Sequence, residues 1–261
     1  MHQAIRPKKF LGQHFLRDDN IARKIAESLS GFGDYKKILE IGPGTGVLTK
    51  FLLDQGDYEW HGVELDRDSI VYLREQYPAI AERLVEADFL RMSLSDIARG
   101  EPLGIIGNFP YNISSQIVFK VLEYRDQVPE LVGMFQKEMA QRIAAPSGNK
   151  IYGIMSVLAQ AFYHVEYLFQ VDEQVFFPPP KVKSAVIRMK RKDAPLPCEP
   201  RKLFMVVKAA FNQRRKTLHN SLKGLQINWE ALPEDFPKRR PEQIKLEEFY
   251  LLAQQAGLGE Q

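Results

Sequence analysis

The chain has 261 residues, 44% of them hydrophobic and 26% charged, which is enough for one large domain and a small one. Its 36 Lys and Arg against 33 Asp and Glu leave a formal net charge of +3, so the distribution of charge is more informative than its sum. A single cysteine, Cys198, excludes an intrachain disulfide and a cysteine-built zinc site; the five histidines lack metal-ligand spacing, and no apolar run reaches the roughly 18 residues of a membrane span. The first residues are basic but lack the apolar core of a secretory signal, so a cytoplasmic, metal-free protein is the expectation.

In chain order, short apolar runs at residues 38–41, 60–63, 84–85, 104–107 and 131–135 alternate with stretches of helical period at 47–53, 68–76 and 113–122. That rhythm predicts a twisted, mostly parallel sheet with helices on both faces and a ligand site at the carboxyl ends of its strands. Residues 151–162 are apolar almost all round and read as a buried helix. Residues 163–171 and 182–189 read as two closing strands, seven in all, joined across Phe176-Phe177-Pro178-Pro179-Pro180. The run Ala194-Pro195-Leu196-Pro197-Cys198-Glu199-Pro200 breaks regular structure, placing a large α/β domain at 1–193 and a small helical one at 194–261.

The first strand ends in Glu40-Ile41-Gly42-Pro43-Gly44-Thr45-Gly46, where bare glycine backbone admits a ligand. The GxGxG spacing departs from the dinucleotide fingerprint, which argues against a pyrophosphate binder. The second strand ends in Glu64, placed to accept ribose hydroxyls, and the third is followed by Asp88, placed to accept from an adenine amine. Glycines and acids together outline an adenosine-shaped site without a phosphate clamp. S-adenosylmethionine (SAM) fits it better than NAD.

The fourth strand runs into Asn108-Phe109-Pro110-Tyr111. An adenine exocyclic amine is a poor nucleophile because its lone pair is delocalised into the ring. The Asn108 side-chain oxygen and the carbonyl of Phe109 can each accept one amine hydrogen, while Pro110 fixes the turn and Tyr111 stacks on the base. Transfer of a sulfonium methyl is an in-line displacement that needs alignment and no strong base in advance, consistent with a sequence that offers no catalytic triad. Phe176 and Phe177 are candidates for a second aromatic wall on the base, with core packing as the competing reading.

Positive charge gathers late in the chain. Lys181, Lys183, Arg188, Lys190, Arg191 and Lys192 occur with no acid between them, and the same holds for Arg201, Lys202, Lys208, Arg214, Arg215, Lys216 and Lys223. A basic stripe of this kind is the footprint of a phosphate backbone, and a solvated helix face is its bland alternative. The cluster from Phe211 to Lys216 mixes hydrogen-bonding and cationic side chains in a way that suits RNA.

With these residues in view, the chain resembles the ribosomal RNA adenine dimethyltransferases, and among them the bacterial small-subunit members. The likeness runs through Lys9-Phe10-Leu11-Gly12-Gln13-His14-Phe15-Leu16, the Glu40 glycine turn, Glu64, Asp88, the Asn108 turn, Pro178-Pro179-Pro180-Lys181-Val182 and Arg214-Arg215-Lys216-Thr217-Leu218-His219-Asn220. It implies a class I SAM-dependent methyltransferase domain followed by a small all-α domain. It further implies that His14 and Leu16 line the cofactor site, with Gly42 near the methionine moiety, Glu64 on the ribose, Asp88 on the adenine and Asn108 at the transfer point; Gly44 of the same turn is a further cofactor-site candidate. The family often has Asn where this chain has His14, and an aliphatic residue where it has Phe109. By the same resemblance the product is dimethyladenosine at two adjacent adenosines near the 3′ end of small-subunit rRNA. The partner is that rRNA or the assembling 30S particle, the enzyme is expected to be a monomer, and the basic stripe places Lys208, Arg214, Arg215, Lys216 and Lys223 on the RNA. The alternatives are a large-subunit rRNA adenine methylase, a non-catalytic ribosome-assembly factor and, more distantly, an NAD dehydrogenase.

Overall fold

The alternation of β-branched runs and amphipathic stretches folds into nineteen helices and strands among the described residues, 5–8 and 11–257 of a computed structural model. Lys9 and Phe10 of the N-terminal motif lie outside the described residues. In chain order the elements are β1 (Phe15–Leu16), α1 (Asp19–Ala26), β2 (Lys37–Ile41), α2 (Thr49–Gln55), β3 (Glu59–Glu64), α3 (Arg67–Gln76), β4 (Leu84–Glu86), α4 (Ser95–Ala98), β5 (Leu103–Asn108), α5 (Ser114–Glu123), β6 (Glu130–Gln136) and α6 (Lys137–Ala144). There follow α7 (Ile154–Phe162), β7 (Tyr163–Val171), β8 (Phe176–Phe177), β9 (Ser184–Arg191), α8 (Pro200–Asn212), α9 (Leu218–Ser221) and α10 (Leu246–Gln254).

Seven strands form one sheet in the order β4-β3-β2-β5-β6-β9-β7. Strand β2 is parallel to both β3 and β5, β3 to β4, and β5 to β6, whereas β9 closes on β6 antiparallel. The chain builds outward from β2 to β4 and then returns to place β5 on the other side of β2. That reversal opens a crevice at the carboxyl ends of β2 and β5, where open α/β sheets bind ligands. Ile105, Ile106, Leu131, Val132, Met134 and Phe135 are wholly buried, as expected of parallel strands covered on both faces, which is why these strands read as apolar runs without alternation. Helix entry points are fixed locally: the Asp18 carboxylate accepts from the N–H of Asn20 and Ile21 at 2.9 and 3.0 Å, and Asp66 accepts from Asp68 at 3.2 Å.

The seven-stranded, mostly parallel sheet matches the sequence-based expectation, with element ends shifted by one to three residues. One feature was not foreseen. β1 pairs antiparallel with β8, Phe15 opposite Phe177 and Leu16 opposite Phe176. Two-residue strands carry no measurable period, so sequence cannot reveal them.

The chain divides into two compact units, Met1–Ala140 with Val165–Arg191, and Gln141–His164 with Lys192–Gln261. The second crossing lies close to the boundary expected after residue 193. The segment 141–164, expected in the first domain, is instead grouped with the C-terminal helices. Its helix α7 is buried on nearly every side and needs apolar partners all round. The Phe162 and Phe204 rings lie 5.9 Å apart, Tyr152 meets Phe211 at 5.9 Å, and the Tyr250 hydroxyl donates to the Ala161 carbonyl at 3.4 Å.

Candidate active site

A cavity of about 180 Å³ sits at the carboxyl ends of β2, β3, β4 and β5, all within the first unit. Of the residues expected to form a site, it brings together His14, Gly42, Gly44, Glu64, Asp88, Asn108, Pro110 and Tyr111. Leu16 and Phe176 require correction. They face each other across β1 and β8, are 5% and 3% exposed, and pack in the hydrophobic core, so neither side chain lines the cavity. Alternation along each strand sends their neighbours the other way: Phe15 lines the cavity and Phe177 is exposed.

The glycine turn is shaped by backbone that only glycine adopts easily. Gly42 and Gly44 have φ of +67° and +57°, and a Cβ on Gly44 would stand 3.1 Å from the Phe15 ring. Glu64 holds the turn closed. Its Oε2 accepts from the Gly44 N–H at 3.0 Å, and its Oε1 from the N–H of Leu65 and Asp66 at 2.8 and 2.9 Å. Burial pushes its carboxyl above the usual range, opposed by these three bonds. Of the about four acceptor positions on a carboxylate, three are thus occupied by backbone. Asp88, at the end of the next strand, accepts from the Leu90 N–H at 2.9 Å. Among the described residues no Lys or Arg lines the cavity, which presents two carboxylates, aromatic rings and bare backbone. Such a lining suits an adenosine carrying a cation and disfavours a phosphate.

Beneath the turn, Glu40 is 1% exposed and accepts from Thr49 Oγ1 at 2.7 Å and Trp60 Nε1 at 2.8 Å. Burial pushes its carboxyl up to about 7, the two hydrogen bonds opposing the shift and the Glu64 charge adding to it. Since its folded pKa lies above the unfolded value, folding takes up a proton. Its contribution is favourable below about pH 4.5 and is lost as pH rises towards 7. Between pH 5 and 7.5 the wild type should lose about 2 kcal/mol more stability in urea titrations than Glu40→Gln. Parallel pH profiles for the two proteins would show that Glu40 is not protonated on folding.

The Asn108 turn is anchored from both sides. Asn108 Nδ2 donates to the His14 carbonyl at 3.0 Å, so the amide is oriented with its oxygen left as acceptor. The Phe109 N–H donates to the Met134 carbonyl at 3.1 Å, and its buried ring meets Phe135 edge-on at 5.0 Å. A Cβ on Gly133 would lie 2.1 Å from the Phe109 ring, so the bulky residue at this position is matched by a glycine on the adjacent strand. The Tyr111 hydroxyl hydrogen-bonds Ser184 Oγ at 2.6 Å, and burial raises its pKa against that bond. One face of its ring is stacked against the His14 imidazole, centroids 5.3 Å apart at 28°. His14 Nδ1 in turn meets the Pro178 carbonyl at 2.7 Å. The His14 side chain is thus a spacer between Tyr111 and the proline turn, and its backbone carbonyl holds Asn108.

Several supporting residues were not singled out from sequence. Gln13 lines the cavity and donates to Asp66 Oδ2 at 2.9 Å, while Lys8 Nζ lies 2.5 Å from Asp66 Oδ1 and 2.7 Å from Asp68. Burial opposes ionisation of Asp66, yet the bonds from Lys8 and Gln13 hold it below the usual carboxylate range. The N-terminal segment is thereby tied to the start of α3. Lys120 of α5, largely buried, donates to the Phe89 carbonyl at 2.6 Å and to the Met92 carbonyl, bracing the loop that carries Asp88. The motif Lys9 to Leu16 signals Gln13 and stops one residue short of Lys8; nothing in the sequence marks Lys120.

The two halves of the basic stripe differ. On β9, Arg188 and Lys190 pair with Glu166 at 2.6 and 3.3 Å and Arg191 donates to the carbonyls of Arg125 and Asp126; just before it, Lys183 pairs with Asp172 at 2.7 Å. Three of the six cations in that half are thus paired with two carboxylates, Glu166 and Asp172. In the second unit, Lys208, Arg215, Lys216 and Lys223 are exposed and carry no ion pair among the described residues. Arg214 lies 4.0 Å from Glu242 and 3.5 Å from the Asn149 carbonyl.

No group of three or more metal-ligating side chains occurs among the described residues, and no described helix is long and apolar enough to cross a membrane. The fold is that of class I SAM-dependent methyltransferases. The structure aligns with a dimethyladenosine transferase from Plasmodium falciparum at a TM-score of 0.74 and 24% identity, covering 92% of this chain and 96% of that one. It also aligns with the 23S rRNA methyltransferase ErmE at a TM-score of 0.68 and 25% identity, covering 92% and 99%. In sequence it is 53% identical to the ribosomal RNA small subunit methyltransferase A of Flavobacterium johnsoniae over 97% of this chain and 96% of that protein. The protein of the same name from Bacteroides fragilis is 52% identical over 97% and 93%. Residues 4–234 match the model of ribosomal RNA adenine dimethylases, and with this site geometry and such relatives the chain belongs to the ribosomal RNA adenine dimethylase family.

Proposed function

We propose that this protein dimethylates the N6 amines of two adjacent adenosines near the 3′ end of small-subunit rRNA, with SAM as methyl donor, as a step in small-subunit assembly. The observation that carries the reading is the Asn108 amide, whose nitrogen is committed to the His14 carbonyl and whose oxygen is left to accept at a cavity lined by the Glu64 and Asp88 carboxylates. SAM would supply a methyl group made electrophilic by its positively charged sulfur. The lining suits it: Glu64 has one acceptor position left for a ribose hydroxyl, Asp88 faces the same cavity, and Gly42 and Gly44 leave backbone bare for the remainder.

Asn108 Oδ1 and the Phe109 carbonyl each take one hydrogen of the amine, drawing the nitrogen lone pair out of conjugation and along the line of attack. The face of Tyr111 away from His14 supports the base plane, which contributes about 1–3 kcal/mol. After transfer the nitrogen is cationic and acidic and loses its proton to solvent water, so no dedicated base is required. Lys208, Arg214, Arg215, Lys216 and Lys223 bind phosphates by counterion release, and affinity for the particle falls steeply with salt. The protein acts in the cytoplasm as a monomer on the assembling particle. The small-subunit assignment is supported by relatives of that name that are 52–53% identical over nearly the whole chain.

Mass mapping of rRNA from cells lacking the gene tests the assignment. Loss of two adjacent dimethyladenosines from small-subunit rRNA is the expected result. Loss from large-subunit rRNA alone would transfer the activity there, and absence of SAM binding in calorimetry would leave only an assembly factor.

A further inference from the structure

The strand pair β1 and β8 has one face in the core and one outside, and the outer face leads away from the reaction cavity. Phe15 lines the cavity, Phe177 stands directly opposite it on β8, and Arg17, two residues beyond Phe15, lies on the same side. The Arg17 guanidinium covers the Phe177 ring with its carbon 4.0 Å from the ring centroid. Phe177 is 44% exposed, and Arg17 has no carboxylate partner among the described residues. The neighbouring acid, Asp18, is committed to capping α1. The backbone under the pair is fixed: the Arg17 N–H donates to the Val175 carbonyl at 2.8 Å, and the Pro178 carbonyl is held by His14. A rigid, planar, cationic platform therefore adjoins the mouth of the cavity.

We propose that the Arg17–Phe177 stack is a nucleotide-binding subsite that holds the base next to the target adenosine while the latter occupies the cavity. The inference rests on the proposed RNA adenine methylation and extends it to a residue pair outside the pocket. Extruding one base from a strand leaves its neighbour without a stacking partner, and a guanidinium laid on an aromatic ring offers a replacement surface together with attraction for the flanking phosphate. Lys181, exposed in the loop that follows Phe177 and without an ion pair among the described residues, adds to that attraction. A lysine at position 17 would keep the charge and lose the plane.

The test uses the full-length protein and unmethylated small ribosomal subunits from cells lacking the gene. Phe177→Ala and Arg17→Lys should each raise the KM for subunits about tenfold, the effect of losing one stacked base, with kcat and SAM affinity within about twofold. Phe177→Trp should behave as wild type. A photo-crosslinking benzoylphenylalanine at position 177 should react with the nucleotide adjacent to the methylated pair. An unchanged KM in both Phe177→Ala and Arg17→Lys, or crosslinks confined to ribosomal protein, would overturn the subsite while leaving the methylation reading intact. A wild-type protein that transfers no methyl group to subunits would instead remove the reading on which the subsite rests.

Discussion

Replacing Asn108 with alanine is expected to slow methyl transfer by at least about a hundredfold, while SAM still binds within roughly threefold of wild type. Two functions of one side chain are lost together. The oxygen no longer accepts from the target amine, and the nitrogen no longer ties the end of β5 to the His14 carbonyl at 3.0 Å. Asn108→Asp separates them: it keeps an acceptor towards the cavity and turns the anchoring side into an oxygen facing a carbonyl oxygen. Partial activity is expected, below wild type and above alanine. Single-turnover transfer measured beside SAM calorimetry distinguishes these cases, and wild-type turnover by Asn108→Ala would refute the positioning of the amine by this residue.

Glu64→Ala should show the opposite pattern, with SAM affinity falling by about a hundredfold or more and the melting temperature dropping by several degrees. The side chain is 7% exposed and serves the N–H groups of Gly44, Leu65 and Asp66, each a charge-assisted bond of about 1.5–3 kcal/mol. Removing it strands three backbone donors and loosens the glycine turn before any ribose contact is considered. Glu64→Gln does not rescue the turn, because its amide group places a donor against backbone donors. Burial raises the Glu64 pKa, so acidification neutralises this carboxylate sooner than an ordinary glutamate. SAM affinity should accordingly weaken as pH falls through that raised value, and Glu64→Gln should lack this dependence. Unaltered SAM affinity in Glu64→Ala would remove Glu64 from the cofactor site.

Much of the site was legible because its chemistry sits at strand ends, where a residue's place in the sequence nearly fixes its place in space. The glycines after β2, the acid ending β3, the acid after β4 and the Asn108 turn after β5 all converge on one cavity for that reason. Phe176 and Leu16 illustrate the limit. Both belong to segments that approach the site, but which of two successive side chains faces it depends on a strand pairing 160 residues apart in sequence. A shift of one residue in register would exchange Phe176 for Phe177. The basic stripe shows a second limit. A run of cations without local acids reads as a free surface, yet Glu166 pairs with both Arg188 and Lys190, and Asp172 with Lys183. The supporting role of Lys120 had no signature at all, since its partners are main-chain carbonyls of a loop some 30 positions earlier.

Sequence alone determined the α/β class, the seven strands, the GxGxG turn with its two acids, and the Asn108-Phe109-Pro110-Tyr111 turn, because each depends on local period or on residue types at strand ends. Tertiary structure decided which side chains enter the cavity, which cations remain free, how the Asn108 amide is oriented and where the second compact unit begins. Those features depend on contacts between residues far apart in the chain, where burial, register and charge pairing are set by the packing of whole elements rather than by any neighbouring sequence.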